Sequence, residues 1–418
     1  GLSMGDKVFQ SPMLNGPCAN ASNSELVSIF TYDDANPVAN AGNDQQVCTP
    51  LTGTLFAGST VVFPATGHWE LVSGQGDITD PSDPLSAVEN LGVGENVFSW
   101  TVDNGPCGGT TTDQVSIFLF NLNAPPAAAG PDQSFCSPTS SATLGANTPT
   151  APAIGVLALV QGTAVITDVN DPGTIVSDLS IGENILTWTI DNGVCGITTD
   201  SISIFIYDAD APSASAGPDQ QYCTPQDSTL LVGNTPTFPA QGTWTLLNGA
   251  GLFADVNDPG TKVVGLSIGA NTFVWTVDNG PCPDAITSDT LTVTIFSDST
   301  AAANAGYDIS ICLPANSVQL NADIPQLPAT GIWTVLSGTG TLTDPSDPHS
   351  AITALGVGET TLLWTLDNGP CPNNGIMTDT MTISIFDPFA PVANAGYDIS
   401  NCTPGDSTAM AGNTPLFP

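Results

Sequence analysis

The sequence predicts an all-β protein, built as a tandem array of small β-sandwich modules. Three observations predict this fold class. A segment pattern repeats about every 88 residues along the chain. Turn-forming residues punctuate the whole sequence, with 42 Gly and 35 Pro. Between these turns, apolar and polar residues alternate with the period of two that is typical of strands.

Two motifs of fixed length, each ending in a cysteine, define the repeat. The first motif, W-T-V-D-N-G-P-C, spans Trp100 to Cys107. It recurs with small changes at three further places, Trp188–Cys195, Trp275–Cys282 and Trp364–Cys371. The second motif, A-N-A-G-N-D-Q-Q-V-C, spans Ala39 to Cys48 and recurs before four more cysteines, Cys136, Cys223, Cys312 and Cys402. A fixed period of this length indicates one structural unit per repeat.

The repeat divides the chain into four full modules. We number them 1 to 4, and they cover residues 35–122, 123–210, 211–299 and 300–388. Residues 1–34 match the last third of a module, and residues 389–418 match the first third. The sequence therefore begins and ends inside modules. We expect the parent chain to extend in both directions, or other chains to complete the two ends.

Module 1 shows the strand pattern most clearly. Residues 96–102 alternate apolar and polar side chains, Asp103–Pro106 is a turn signal, and residues 113–120 alternate again, which predicts a hairpin. Two earlier segments, Thr54–Phe56 and Trp69–Val72, predict further strands. About seven short strands per module predict an immunoglobulin-like sandwich, and the repeated tryptophans are predicted to lie in its core.

The motifs also resemble a known family of repeats. The elements A-G-x-D-Q-x-x-C, G-x-W, D-P and G-x-N-x-x-x-W-T-x-D-N-G-x-C look like the PKD-like immunoglobulin-fold repeats of large surface and secreted proteins of Bacteroidota. These include gliding-associated adhesins exported by type IX secretion. The resemblance implies an extracellular or cell-surface location and a tandem immunoglobulin-like fold. The W-D-F-G-D motif of eukaryotic PKD modules is not matched, because Glu70 and Leu71 follow Trp69.

The charge balance excludes several classes of function. There are 40 Asp and Glu residues, and the basic residues are Lys7 and Lys262, which gives a formal net charge of −38. Such a surface repels nucleic acid and anionic membranes. No apolar run approaches the length of a membrane span, which is about 20 residues, so we expect no membrane insertion. His68 and His349 occupy non-equivalent repeat positions, so no acid–base site recurs, and we expect no enzyme activity and no required cofactor.

Ten cysteines follow the repeat and predict disulfides in an oxidising compartment. The steps between them alternate between 59 residues and 28 to 31 residues. Because the 59-residue step never varies, we expect it to lie inside a module. This predicts four disulfides, Cys48–Cys107, Cys136–Cys195, Cys223–Cys282 and Cys312–Cys371. The alternative scheme begins with Cys18–Cys48 and staples adjacent modules along the whole chain.

Acidic residues flank several of the predicted linkers between modules. Carboxylates are hard oxygen ligands that suit Ca²⁺, and bound calcium would stiffen a linker. The candidate ligands are Asp33, Asp34, Asp44, Asp208, Asp210, Asp219, Asp298, Asp308, Asp387 and Asp398. The simpler alternative is a solvated acidic surface in which Asp serves turns.

The sequence also matches the O-glycan pattern of Bacteroidota, in which Asp precedes Ser or Thr and a small or aliphatic residue follows. The candidate acceptors are Ser201, Ser228, Thr290, Ser299, Thr380 and Ser407. Occupancy of any of these positions depends on the bacterial resemblance.

Three hypotheses for function follow. The first is a non-catalytic extracellular stalk or filament of a large adhesin-like protein, in which the partners of each module are its neighbours and other copies of the chain. The second is an adhesin whose repeats bind glycans or a partner surface directly. The third is that residues 1–34 and 389–418 complement one another between chains and polymerise the protein, although together they lack the middle strands of a module.

Overall fold

The structure is a computed structural model, and it describes residues 5–14, 22–34, 38–299, 301–402 and 407–414. The chain divides into two compact units, Gly1–Ala209 and Asp210–Pro418. Regular structure in the described ranges is almost entirely β, as the sequence predicts, and its one helical element is a single turn of 3-10 helix at Gly193–Cys195. Within these ranges, no helix has the length and apolar character to cross a membrane.

The first unit contains a hairpin and modules 1 and 2. The hairpin strands are β1 Gly5–Leu14 and β2 Ser22–Thr31. The strands of module 1 are β3 Gln45–Cys48, β4 Thr54–Leu55, β5 Thr66–Ser73, β6 Asp77–Ile78, β7 Ala87–Glu89, β8 Gly94–Asp103 and β9 Thr110–Phe120. Those of module 2 are β10 Gln133–Cys136, β11 Ala142–Thr143, β12 Ile154–Gln161, β13 Val165–Ile166, β14 Ile175–Ser177, β15 Gly182–Asp191 and β16 Ile197–Tyr207.

The second unit contains modules 3 and 4. The strands of module 3 are β17 Gln220–Cys223, β18 Ser228–Leu230, β19 Gln241–Asn248, β20 Leu252–Phe253, β21 Lys262–Val264, β22 Gly269–Asp278 and β23 Ile286–Phe296. Those of module 4 are β24 Ile309–Cys312, β25 Val318–Gln319, β26 Thr330–Ser337, β27 Thr341–Leu342, β28 Ala351–Thr353, β29 Gly358–Asp367 and β30 Ile376–Phe386. Each predicted module range thus holds seven strands.

Every module has the same two sheets. In module 1 a four-stranded sheet has the order β3-β9-β8-β5, and a three-stranded sheet has the order β4-β7-β6. The predicted hairpin is confirmed, because β8 and β9 pair antiparallel from Asp103 opposite Thr110 to Gly94 opposite Leu119. The short strand β3 pairs in parallel with the end of β9. The all-β, immunoglobulin-like tandem prediction is therefore confirmed.

Each module has its own hydrophobic core between its two sheets. The four clusters of buried apolar side chains each draw their members from a single module. The core prediction for tryptophan is confirmed, because every Trp is at most 2% exposed: Trp69, Trp100, Trp188, Trp244, Trp275, Trp333 and Trp364. Leu157, which replaces the first Trp in module 2, is 3% exposed. Fully burying a large side chain contributes on the order of 2–3 kcal/mol, so these residues dominate the core.

Aspartates at repeated positions attach the first strand of each module to the last. Asp113 accepts a hydrogen bond from the backbone N–H of Ala41 at 2.8 Å, and Asp44 accepts one from the N–H of Ser116 at 2.8 Å. The second pattern recurs at Asp132, Asp219 and Asp308 in the other modules. These carboxylates satisfy backbone donors beside the short parallel ladder, so they fix where the chain enters and leaves each module.

Candidate functional site

The parallel pairing of the first and last strands gives each module two distinct poles. In module 1, Cys48 at the end of β3 lies opposite Phe120 at the end of β9. Cys107 lies in the turn that joins β8 to the start of β9. We call the end that carries the D-N-G-x-C turn the upstream pole, and the end where the last strand stops the downstream pole. The two cysteines of one module therefore lie at opposite poles.

The predicted disulfides within modules are wrong, because the two cysteines of one module lie at opposite poles. Cys48 bonds to Cys195 of module 2, with the two Cα atoms 5.4 Å apart. Cys223 bonds to Cys371 of module 4 across 5.2 Å. An 11-residue strand such as β9 is roughly 35 Å long, whereas a disulfide needs Cα atoms within about 7 Å. Cys48 therefore cannot reach Cys107 in a folded module.

The remaining cysteines complete this correction. The alternative scheme that pairs Cys18 with Cys48 is also wrong, since Cys48 is bonded to Cys195; Cys18 itself lies outside the described residues. Cys136 and Cys282 are both in disulfides. Cys107, Cys312 and Cys402 carry free thiols, so the predicted Cys312–Cys371 bond is absent as well.

The joint between modules 1 and 2 contains three kinds of contact. The first is the Cys48–Cys195 disulfide. In the second, the side-chain amide of Asn192 donates to the backbone carbonyl of Asn121 at 2.8 Å. In the third, the ring of Phe120, which is 5% exposed, lies against Gly193. All three upstream-pole residues belong to one D-N-G-x-C turn, so the motif that looked like a simple hairpin turn forms the joint.

Glycine is required in this turn for two reasons. Gly193 has φ of 54°, in the left-handed region that side chains disfavour. A Cβ atom at Gly193 would also stand 2.5 Å from Cζ of Phe120. Asp191 supports the turn, because its carboxylate accepts the N–H of Gly193 at 2.9 Å. The sequence D-N-G therefore encodes both the turn and the flat surface on which the aromatic ring rests.

The joint between modules 3 and 4 repeats the same construction. The amide of Asn368 donates to the carbonyl of Ser297 at 2.8 Å. A Cβ atom at Gly369, whose φ is 64°, would stand 2.6 Å from Phe296. Asn374 adds a second amide, which donates to the carbonyl of Asp298 at 2.9 Å. Two joints built from the same residue types at the same repeat positions show that the joint is a property of the repeat.

The hairpin β1–β2 meets module 1 in the same way except for the disulfide. Asn104 donates its amide to the carbonyl of Asp33 at 2.8 Å, and Tyr32 lies against Gly105. Phe30 and Phe63 add an edge-to-face ring contact with centroids 6.2 Å apart. Cys107 occupies the disulfide position, and among the described residues its thiol is free. This joint therefore has the non-covalent contacts of the other joints, but the described residues form no disulfide there.

Several of the predicted calcium ligands accept hydrogen bonds within the chain. Asp44, Asp219 and Asp308 accept backbone hydrogen bonds inside their own modules. Asp387 accepts the N–H of Phe389 at 2.8 Å, while Asp34, Asp210 and Asp398 are exposed. Asp33 and Asp208 are half-buried. Calcium binding at the linkers stays a prediction, which calorimetric titration of the chain with Ca²⁺ tests.

One group of metal-ligand residue types lies close together among the described residues. It consists of Cys223, Asp298 and Cys371, whose ligand atoms lie within 4.8 Å of one another. Two of the three are joined in a disulfide, and metal binding by cysteine requires a thiolate. Oδ1 of Asp298 is buried there without a hydrogen-bond partner. The oxidised joint therefore offers no thiolate ligand to a metal.

The predicted glycan acceptors lie mostly on exposed strand and loop positions. Ser201, Thr290 and Thr380 are exposed residues of the last strands of modules 2, 3 and 4. The aspartate before each of them has a structural role, since Asp200, Asp289 and Asp379 accept the backbone N–H of an alanine in the first segment of the module. Ser228 is half-buried, and Ser299 and Ser407 are exposed. Glycosylation stays a prediction at all six positions.

The histidines do not form an acid–base site in the described structure. His68 is exposed on the edge strand β5, and His349 is half-buried in the loop before β28. The acids with a resolved shift are Asp80 and Asp344, both fully exposed in turns. The side-chain hydroxyl of Ser82 holds the pKa of Asp80 below its ordinary value, and Ser346 does the same for the pKa of Asp344. These shifts come from turn geometry rather than from a cleft.

Comparison with known proteins gives distant similarities. No protein-family model matches the chain. The dyslexia-associated protein KIAA0319 homolog of Rattus norvegicus is 26% identical over 298 residues, which cover 66% of this chain and 28% of that protein. The chain therefore matches less than a third of the length of this relative.

Solved structures with similarity to the chain include tandem immunoglobulin proteins. The titin I-band fragment I67–I69 has 11% identity and a TM-score of 0.31, covering 63% of this chain and 99% of its own. The insect immune protein hemolin has 13% identity and a TM-score of 0.24, covering 84% of this chain and 100% of its own. The fold class rests on the strands and sheets described above.

Proposed function

We propose that the chain is part of a non-catalytic extracellular stalk whose modules are covalently cross-braced. The observation that carries this proposal is the Cys48–Cys195 disulfide, which joins two modules that the peptide linker already connects. Disulfides persist in oxidising compartments, which supports an extracellular or surface location. The proposal also includes a Bacteroidota origin, which the resemblance of the motifs to surface repeats of that group supports.

Two connections across one joint limit bending more than one connection does. A single flexible linker lets two modules hinge in any direction, whereas a second covalent link a short distance away leaves one axis of rotation. The amide of Asn192 and the ring of Phe120 add non-covalent contacts across the same joint. A joint of this kind holds neighbouring modules in one orientation, which is what a spacer needs.

The disulfides also determine how the chain carries tension. A pull on the backbone reaches Cys48 and passes directly through the sulfur atoms to Cys195, a sequence separation of 147 residues. The residues between them are bypassed and bear no load. Their fully extended length is roughly 500 Å, so the disulfide prevents an extension of up to that size when modules 1 and 2 unfold. The proposed function is therefore to hold a fixed distance under load.

The charge of the chain supports the same function. With a net charge of −38, neighbouring stalks repel one another and stay soluble. The tryptophans give no support to direct glycan binding, because sugar-stacking platforms require exposed aromatic rings and all seven tryptophans are buried. The loops Asp80–Pro84 and Asp344–Pro348, which carry the D-P steps, contain no aromatic residue either.

Electron microscopy of the oxidised and the reduced chain tests this proposal. The oxidised chain is expected to appear as a row of beads with a narrow distribution of bend angles, and the distribution is expected to broaden after reduction. A matched control is the Cys312→Ser variant, which removes a free thiol and leaves the joints intact. Identical bend distributions before and after reduction would show that the disulfides do not brace the array.

A further inference from the structure

We propose that the Asn-Gly steps of the two disulfide-bonded joints, Asn192-Gly193 and Asn368-Gly369, are deamidation sites that a closed joint protects and an open joint exposes. Deamidation converts the asparagine side chain into a carboxylate without an enzyme, so it makes a temporary opening of a joint permanent. The proposal goes beyond the stalk function, because it concerns a chemical modification of the joints rather than their mechanical role.

The chemistry needs only the chain and water. The backbone nitrogen of the residue after asparagine loses its proton and attacks the side-chain amide carbon. The bond from this carbon to the side-chain nitrogen then breaks, the nitrogen leaves as ammonia with the proton that the backbone lost, and a cyclic succinimide remains. Water opens the ring at either carbonyl, which gives aspartate or isoaspartate. Glycine favours the attack, because it has no Cβ to hinder its nitrogen.

The first argument concerns the side-chain amide that has to be attacked. In the joint between modules 1 and 2, the amide nitrogen of Asn192 donates to the carbonyl of Asn121 at 2.8 Å. In the joint between modules 3 and 4, the amide nitrogen of Asn368 donates to the carbonyl of Ser297 at 2.8 Å. Both hydrogen bonds reach from one module to the other. They therefore fix the asparagine side chain in one conformation for as long as the joint is closed.

The second argument concerns the attacking nitrogen. The N–H of Gly193 donates to the carboxylate of Asp191 at 2.9 Å, and the N–H of Gly369 donates to the carboxylate of Asp367 at 2.9 Å. The nitrogen attacks only after it has lost this proton, and a carboxylate beside it disfavours the negative charge that results. The N–H of Gly196 also closes the first turn by donating to the carbonyl of Gly193 at 3.1 Å. The attack therefore requires the turn to open.

The third argument concerns the side-chain oxygen, on which negative charge develops during the attack. The Oδ1 atoms of Asn192 and Asn368 are buried, and the described residues offer no hydrogen-bond donor to either of them. A developing oxyanion needs donors or water around it, and burial without them raises the barrier. Water reaches these two oxygen atoms only when the joint opens, so the closed joint slows the reaction at this atom as well.

The fourth argument links each Asn-Gly step to a disulfide. The 3-10 turn Gly193–Cys195 begins with the attacking residue and ends with the cysteine that bonds to Cys48. Cys371 follows Gly369 at the same distance in sequence and bonds to Cys223. A broken disulfide frees one end of the turn and removes the covalent support of the hydrogen bond between the modules. The redox state of a joint therefore controls the rate of deamidation in that joint.

The product does not fit the closed joint. A carboxylate at position 192 has no N–H to donate to the carbonyl of Asn121, and it places a negative oxygen atom where the donor was. Isoaspartate also adds a methylene to the backbone directly before Gly193, where even an added Cβ would stand 2.5 Å from Cζ of Phe120. Deamidation therefore disfavours closure of a joint that has opened.

An Asn-Gly step outside the joints serves as an internal reference. Asn248 ends strand β19 of module 3, and both Asn248 and Gly249 are exposed. Strand β19 lies at the opposite edge of its sheet from β17, the strand that ends in Cys223. The rate of deamidation at Asn248 should therefore be independent of the joints.

The test follows deamidation in the full chain and in two variants, Cys48→Ser and Cys223→Ser. Each variant removes one joint disulfide from the side of the preceding module and leaves the sequence of the Asn-Gly turn unchanged. The chains are incubated at mildly alkaline pH, where backbone nitrogen loses its proton more readily, and are then digested at acidic pH. Peptide mass spectrometry measures the conversion of amide to carboxylate at each Asn-Gly step.

The two variants are matched controls for each other. Cys48→Ser is expected to raise the rate at Asn192 roughly tenfold, because the hydrogen bond that holds the amide opens more often, and to leave the rate at Asn368 unchanged. Cys223→Ser is expected to raise the rate at Asn368 by a similar factor and to leave Asn192 unchanged. The rate at Asn248 should be the same in all chains, and in the unmodified chain it should exceed the other two rates.

A third variant opens the first joint without removing a cysteine. Phe120→Ala removes the ring that lies against Gly193 and is expected to raise the rate at Asn192 roughly threefold, since a packing contact of the joint is lost. Near-ultraviolet circular dichroism of the buried tryptophans checks that each variant stays folded. The rates are compared for variants whose spectra match that of the unmodified chain.

Three results would overturn the proposal. One is an equal rate at Asn192 in Cys48→Ser and in the unmodified chain. Another is deamidation of Asn192 as fast as that of Asn248 in the unmodified, oxidised chain, which means that the closed joint gives no protection. The third is a single variant that raises the rates at Asn192 and Asn368 together, which indicates general loosening rather than the opening of one joint. None of these results bears on the bracing of the modules, which is measured by bend angles on freshly prepared chains.

Discussion

Cys48 and Cys195 lie in different modules and are joined by a disulfide, although Cys48 and Cys107 are closer in sequence and belong to one module. The parallel pairing of β3 with β9 explains this relationship, since it places the first cysteine of a module at the downstream pole. The second cysteine lies in the turn at the upstream pole. Cysteines of modules 1 and 2 therefore meet at their joint, and those of modules 3 and 4 meet in the same way.

Removal of the first joint disulfide should lengthen the chain under force. The Cys195→Ser variant is expected to release additional contour length when modules 1 and 2 unfold, because part of the bypassed segment then carries load. The release stays below about 500 Å, since Cys136 within that segment remains in another disulfide. If both modules unfold together, the variant should also lose up to about 5 kcal/mol of loop-closure stabilisation. Single-molecule force spectroscopy measures the contour length.

The control for that measurement is Cys312→Ser, since Cys312 is exposed and unbonded. It should unfold with the same contour lengths as the unmodified chain. Equal extension of Cys195→Ser and the unmodified chain would contradict the proposed path of tension.

The Phe120–Gly193 contact predicts that a single methyl group disrupts a joint. Gly193→Ala places a Cβ in the ring of Phe120 and strains a left-handed backbone, at a cost of about 1–3 kcal/mol. Chemical denaturation of the variant measures this loss. Gly145→Ala is the matched control, because a Cβ there meets no heavy atom within 4 Å. A loss of the same size in both variants would argue against a packed joint.

Asp113 should stabilise module 1 through the segment that precedes β3. Its carboxylate accepts the N–H of Ala41, which is 1% exposed. Asp113→Ala leaves that donor without its partner and is expected to cost about 1–3 kcal/mol in urea denaturation. The exposed Glu70 provides the comparison, and Glu70→Ala should change stability by less than about 0.5 kcal/mol. Equal stabilities of the two variants would rule out this role for Asp113.

Asp80 should titrate below the ordinary value of 3.8. The hydroxyl of Ser82 donates to its carboxylate at 2.7 Å, and this hydrogen bond favours the charged form and lowers the pKa. Because the folded-state pKa is depressed, the small stabilisation is present above pH 3.8 and is lost as the pH falls through the folded value. Ser82→Ala is expected to raise the pKa of Asp80, as followed by carboxyl NMR titration.

Asp344 gives an internal reference for that titration. Its own partner is Ser346 in module 4, at 2.7 Å, so its pKa should not change in Ser82→Ala. An unchanged pKa of Asp80 in the variant would mean that the turn hydrogen bond is not the cause of the shift.

Local patterns in the sequence were sufficient to predict the strands and the core. The alternation in residues 96–102 and 113–120 predicts the β8–β9 hairpin, because side chains of a strand alternate between faces. The recurrence of Trp100 at a fixed place in this pattern predicts its burial, and it is 0% exposed. Both features depend on residues that are close in sequence.

The joints could not be predicted in the same way, because they depend on a long-range register. Nothing in the local pattern around Cys48 shows that β3 runs parallel to β9 rather than antiparallel to another strand. The invariant 59-residue spacing predicts a bond within the module, whereas the structure shows that it reflects only the constant size of each module. A comparison of cysteines three steps apart, at 147 residues for Cys48 and Cys195, would have included the observed pair.

The most direct test is a disulfide map of the unreduced chain. The chain is digested without reduction, at acidic pH to prevent exchange, and the cross-linked peptides are identified by mass spectrometry. The account predicts peptides that join Cys48 to Cys195 and Cys223 to Cys371. Peptides that join Cys48 to Cys107 or Cys223 to Cys282 would contradict it, since the modules would then be closed within themselves and connected by their linkers alone.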